Sequence, residues 1–216
     1  MQKKFDIRGR RSIRLKGWDY STPNYYFITL CVQNRVNLFG NIIEGRIILT
    51  EIGSMVKEIW LDMQTKYSGV TVDEFVVMPN HIHGILGLHV GAGPRSTNHP
   101  PTNIGGFDLS IPKGGACPFT STIELGQDDP GRTRGSAPMG KFLSLSDTIR
   151  QFKTWTTKKY AENMIRFHWP EFCKRLWQRN YFERIIRCEK ELKQIRQYIL
   201  DNPANWQNDH ENPGDK

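Results

Sequence analysis

The sequence predicts an α+β fold, with helices packed on one face of a central antiparallel sheet. Two observations carry that prediction. Runs rich in β-branched and aromatic residues come in hairpin-spaced pairs bounded by turn residues. Amphipathic stretches of helical period separate the pairs. The order is strand, strand, helix, strand, strand, a long interruption, helix, short strand or turn, helix.

Residues 25–32 (YYFITLCV) follow the turn-like STPN and read as a strand. Residues 45–50 (GRIILT) read as a short second strand. The next stretch, TEIGSMVKEIWLDMQTKY, places Ile52, Met55, Val56 and Ile59 at helical spacing, with Thr50 as its N-cap. GVTVDEFVVM and HIHGILGL read as two strands joined at Pro79-Asn80, a favourable turn pair. Eleven Gly and seven Pro fall between Gly87 and Gly140, with no sustained periodicity. Residues 87–141 are therefore expected to be a low-complexity insertion that carries no chemistry. Order returns at SLSDTIRQFKTWTTKKYAENM, a helix that Ser146 can cap. Strand or turn character follows around Trp177 and Tyr181. The last helix starts near Glu189 and stops at Pro203, because the residue before proline disfavours the α region. The chain thus reads as one interrupted domain over residues 1–206, with residues 207–216 expected to fray.

The 216 residues carry a formal net charge of +8, unevenly placed. Residues 1–18 hold seven Lys/Arg against one Asp, and residues 145–196 hold thirteen against six acidic residues, so the remainder is net acidic. Charge gathered in two segments points to a polyanion-binding surface. Arg10, Arg11, Arg14, Lys16, Lys153 and Arg179 are the candidate contacts to nucleic-acid phosphates. Cys31, Cys117, Cys173 and Cys188 contain no C-x-x-C pair, which argues against a disulfide framework or a cysteine zinc site. No stretch reaches the apolar length of a membrane span. The basic N-terminus lacks the apolar core of a secretory signal, so a cytoplasmic location is expected.

His81 and His83 lie two apart on a strand and therefore share a face. Two neutral imidazoles can hold a divalent metal and leave positions open for oxygen ligands. Two half-exposed strand histidines bonded to their neighbours would show the same pattern. Tyr198 and Asn202, four apart in RQYILDNPANW, fall on one face of the last helix. A tyrosine phenolate can attack a phosphodiester and hold the strand covalently. Its ordinary pKa near ~10 makes it a weak nucleophile that needs help. A metal on the histidines would polarise the phosphate, and the Asn202 amide oxygen could complete its shell. Tyr181 is a rival nucleophile, although its neighbours Phe182 and Ile185 favour a structural role.

Three blocks in order, DEFVVMPNHIHGIL, LWQRNYFERIIR and IRQYILDNPANW, together with the N-terminal RRSIRLKGWDYSTPNYYFITLCVQNR, resemble the REP-associated tyrosine transposases of the HUH single-strand DNA transposase superfamily. The likeness spans most of residues 10–86 and 143–206. It implies a ferredoxin-like sheet. It also implies metal-dependent cleavage and rejoining of single-stranded or hairpin DNA, such as repeat palindromes, through a 5′-phosphotyrosine. His81 and His83 match the metal ligands of such proteins, Tyr198 the nucleophile and Asn202 the third ligand position. The implied ion is Mg2+ or Mn2+, with phosphate and water oxygens completing its shell. A homodimer and a monomer are both compatible with the resemblance. The alternative function is a non-catalytic binder of hairpin DNA or RNA. A metal-dependent hydrolase is disfavoured because no carboxylate base is evident beside the histidines.

Overall fold

The computed structural model describes residues 17–89, 143–172 and 174–214. The elements, in chain order, are β1 (Asn24–Cys31), β2 (Gly40–Ile43), β3 (Arg46–Leu49), α1 (Glu51–Lys66), β4 (Val70–Val77), β5 (His81–Leu88), α2 (Leu145–Phe167), β6 (Phe182–Ile186) and α3 (Glu189–Asp201). Short 3-10 turns occupy Gln33–Arg35 and Trp206–Asn208. The main sheet is antiparallel with strand order β4-β5-β1-β6, and β2 and β3 form a separate hairpin. This is the α+β class the sequence predicts. With the small hairpin set aside, it is the ferredoxin-like strand order.

The period of two along β1 and β5 sorts their side chains to two faces. Tyr26, Ile28 and Leu30 of β1 join Ile82 and Leu86 of β5 in one apolar cluster with Val56 and Trp60 of α1 and Ile149 and Phe152 of α2. Phe27 and Ile85 belong to a second cluster with Ile186 of β6 and Leu192, Ile195 and Ile199 of α3. Thus α1 and α2 form the expected helical layer on one face, and α3 lies against the other. Cover on both faces explains why every residue of β5 is buried, the two histidines included.

Local chemistry sets the element ends. The Thr50 side chain accepts from the Gly53 N–H at 3.1 Å, as its place before the helix implies. Helix α2 is capped by Ser144, whose side chain accepts from the Asp147 N–H at 3.1 Å. The cap is therefore two residues before the Ser146 suggested by sequence, because Leu145 is already helical. Strand β2 carries no signal that separates it from the surrounding turn residues. It exists because Gly40–Ile43 pairs with Arg46–Leu49.

Gly84 of β5 faces α1. A Cβ at this point would lie 2.6 Å from Cζ2 of the fully buried Trp60 and 3.1 Å from Cβ of Phe75. Gly84→Ala is expected to cost about 1–3 kcal/mol through overpacking. A denaturant melt checks this as a lower midpoint with an unchanged slope.

Where β4 changes register between Val72 and Phe75, Asp73 accepts a hydrogen bond from Arg196 Nε of α3 at 2.7 Å. Burial raises the Asp73 pKa, but the guanidinium outweighs it and the carboxyl sits below its ordinary value. A depressed folded pKa gives stability that is present above the unfolded value of ~3.9 and is lost as pH falls through the folded value. Solvent screening at the part-exposed guanidinium keeps the contribution to about 1 kcal/mol or less. Asp73→Asn is therefore expected to be slightly less stable than the parent at pH 7. Urea melts repeated toward pH 3 should show the difference closing.

Candidate active site

The site lies on the α3 face of the sheet, at the end where β5 begins. Register sets Cys31 opposite His81 and Thr29 opposite His83. The two imidazoles are side by side, with ring centroids 4.4 Å apart, and are 0% and 2% exposed. Each ring is held by its Nδ1. For His83 the partner is Thr29 Oγ1 at 2.8 Å, and for His81 it is Asn80 Oδ1 at 2.8 Å.

The second contact fixes a tautomer. Asn80 Nδ2 donates to the carbonyls of Arg35, at 3.1 Å, and Glu211, at 2.8 Å, so its oxygen must be the atom facing His81. That oxygen only accepts, hence His81 Nδ1 carries the proton and Nε2 presents a lone pair. His81 Nε2 is buried and has no hydrogen-bond partner. Burial first, and the adjacent His83 second, hold the His81 pKa well below its ordinary value, so the ring is neutral.

The C-terminal segment brings a carboxylate to the same place. Asp209 Oδ2 lies 3.8 Å from His81 Nε2 and 3.9 Å from His83 Nε2. Both separations are too long for hydrogen bonds. The three donor atoms lie within 4.8 Å of one another. Burial pushes the Asp209 pKa up, but His83 and the Glu211 N–H, which donates at 2.6 Å, act against it and the carboxyl sits at about 2. A carboxylate facing a buried lone pair is unfavourable unless a cation or proton lies between them. The donor set therefore fits a divalent metal: two imidazoles, each oriented by its second nitrogen, and one carboxylate.

Helix α3 supplies the hydroxyl. Tyr198 Oη is 3.4 Å from His83 Nε2. Its ring is edge-on to Phe27, with centroids 5.9 Å apart, and Phe27 stacks on His83 at 5.5 Å. Burial, and then the Asp209 charge, raise the Tyr198 pKa to about 12, while the Asn202 amide acts in the opposite sense. The phenol is neutral at physiological pH in this state. Asn202 caps α3 and is buried, and its Oδ1 has no hydrogen-bond partner.

Four of the residues singled out by sequence, His81, His83, Tyr198 and Asn202, thus border one buried site. Tyr181 does not join them. It packs against the opposite cluster, with Lys153 Nζ 5.5 Å from its ring centroid. Lys153 donates to the carbonyl of Gln178 at 2.7 Å and reaches those of Arg179 and Asn180 at 3.3 and 3.4 Å, so its charge orders that segment. Arg179 is exposed, and Arg10, Arg11, Arg14 and Lys16 lie outside the described residues.

Asp209 is the residue that sequence reasoning missed. Composition suggests a frayed tail from residue 207, yet Asp209 and Glu211 pack at the histidine end of the sheet. Trp206 anchors them, 7% exposed and 5.9 Å from His81 between centroids. An ion pair between Arg35 and Glu211 at 2.9 Å holds the far side. A large apolar residue in a polar tail is the signal that could have shown this.

Among the described residues no helix is long and apolar enough to cross a membrane. No protein-family model matches the chain. Among solved structures, a REP-associated tyrosine transposase bound to a REP hairpin is similar with a TM-score of 0.48 and 16% identity, over 89% of this chain and 73% of that one. A structure from Deinococcus radiodurans gives a TM-score of 0.40 and 15% identity, over 87% of this chain and 95% of that one. An uncharacterized protein of Haemophilus influenzae is 34% identical over 203 residues, which is 94% of this chain and 93% of that protein. At that identity over nearly its whole length, the chain belongs to the same family as the Haemophilus influenzae protein.

Proposed function

We propose that this protein is a transposase-like DNA strand transferase that cuts and rejoins single-stranded or hairpin DNA through a covalent link to Tyr198. The observation that carries the reading is the meeting of Tyr198 Oη with His83 Nε2 at 3.4 Å, beside the unpartnered His81 Nε2. Binding alone would require neither. The resemblance of the three sequence blocks to REP-associated tyrosine transposases supports the same chemistry.

His81, His83 and Asp209 would hold the ion, Mg2+ or Mn2+, with the Asn202 oxygen close by to join the set. A bound divalent ion supplies polarisation of the scissile phosphate and stabilises charge on its oxygens. Tyr198 Oη attacks phosphorus. The bond from phenol oxygen to phosphorus forms, and the bond from phosphorus to the 3′ oxygen breaks. The phenol gives up its proton, and the departing 3′ oxygen gains one. Attack of a 3′ hydroxyl on the phosphotyrosine reverses the step and rejoins the strand, so no external energy source is needed. Asn80 keeps the His81 lone pair aimed at the site, and Thr29 holds the His83 ring in place.

The test mixes the full chain with end-labelled hairpin DNA carrying an unpaired tail, with Mn2+ or Mg2+, and resolves the products on a denaturing gel. A covalent band that chelator abolishes is the expected result. Binding without such a band on any hairpin would instead favour a non-catalytic hairpin binder.

A further inference from the structure

A groove of about 680 Å³ runs between α2 and the segment that leads into β6. Arg150 and Lys158 line it from α2, and Lys174, Arg175 and Arg179 from the facing segment, with Phe172 at its side. Among the described residues, no carboxylate lines it. Arg150 shares its charge with Asp147 at 2.7 Å. Among the described residues, the side chains of Lys158, Lys174, Arg175 and Arg179 are held by no ion pair or hydrogen bond. Lys158, Lys174, Arg175 and Arg179 are also exposed. So many like charges facing one groove repel each other, and an anionic ligand relieves that repulsion.

The wall of the groove is built to accept an anion. Main-chain carbonyls at 178–180 would repel a phosphate, but Lys153 Nζ covers all three. The same wall is tied to the end of β1 nearest the histidines. The Gln178 N–H donates to the Cys31 carbonyl at 2.9 Å, and Cys31 is opposite His81. Phe182, three residues past Arg179, is opposite Thr29, which holds His83. The groove itself lies on the α1/α2 side of the sheet, and its wall at residues 178–182 runs beside the end of β1 that carries Cys31 and Thr29.

We propose that this groove binds the phosphate backbone of an unpaired DNA segment whose continuation rounds the β6 edge of the sheet to reach Tyr198 on the other face. The assignment rests on the strand-transfer reading for its destination, and on its own charges and volume for binding. An unpaired strand suits a groove of this size better than a duplex.

The test is fluorescence anisotropy with the full chain in EDTA, so that no cleavage occurs. Two probes share one stem, one blunt and one with an unpaired tail. Replacing Lys158, Lys174, Arg175 and Arg179 together by Ala should weaken binding of the tailed probe at least about tenfold. Four lost phosphate contacts should also flatten its log–log salt slope by about 2–3. Arg175→Glu alone should weaken the tailed probe about threefold or more. Blunt-probe affinity, the thermal melt and Mn2+ binding by calorimetry should stay as in the parent. Unchanged tailed-probe affinity, or equal losses on both probes, would overturn the assignment. The outcome is separable from the transfer reading. Should the parent form no covalent band while the groove variants lose tailed-probe binding, the groove stands and the transfer reading falls. Should the band persist in variants whose binding is unchanged, the groove falls alone.

Discussion

Tyr198→Phe is expected to lower covalent DNA attachment at least ~1,000-fold while changing DNA affinity by no more than about twofold. The substitution removes one oxygen and keeps the ring. The edge contact with Phe27 and the place between α3 and the sheet are preserved. The lost hydroxyl's contact with His83 is 3.4 Å long, too long to carry much stability. A chemical role and a packing role therefore separate cleanly. Tyr181→Phe is the matched control, because Tyr181 belongs to the other face of the sheet and should retain the band. Covalent bands quantified beside anisotropy titrations check both expectations. Attachment that survives in Tyr198→Phe but not in Tyr181→Phe would move the nucleophile across the sheet.

The second large effect concerns the metal. His81→Ala is expected to weaken Mn2+ binding by at least about 100-fold, beyond the ~10–100-fold typical of losing a group behind a ligand. Asp209→Ala should fall in the same class, since its carboxylate is the only full negative charge in the group. Asn80→Ala should lie lower, at about 10-fold, because it frees the His81 tautomer without removing a donor atom. Isothermal calorimetry on each folded variant gives this order. Parent-like affinity in Asp209→Ala would leave Asn202, with its buried unpartnered oxygen, as the third ligand.

Much of this arrangement was legible in the sequence. Periodicity found β1, α1, β4, β5, α2 and α3, because each is long enough to show its period and is bounded by a cap or a turn. The pair His81 and His83 could be read as two side chains on one face, and Tyr198 and Asn202 as one helix face, since both statements need only local geometry. What local geometry does not contain is which face meets which. That α3 crosses the sheet on the histidine side follows from the apolar stripe of Leu192, Ile195 and Ile199 meeting Phe27, Ile85 and Ile186. Asp209 was illegible for a related reason. Its role depends on Trp206 docking beside His81 and on Arg35 and Asn80 gripping Glu211, all of them contacts distant in sequence. Lys153 shows the opposite limit. Its charge suggested a phosphate contact, while burial and three nearby carbonyls give it a structural task.

The central claim is that Tyr198 itself becomes joined to DNA. The most direct measurement is tandem mass spectrometry of the covalent species after nuclease trimming and proteolysis. The account predicts a nucleotide phosphate on the phenol oxygen of Tyr198, and only when divalent metal is present. A nucleotide mapped to Tyr181 or to any other residue would contradict it.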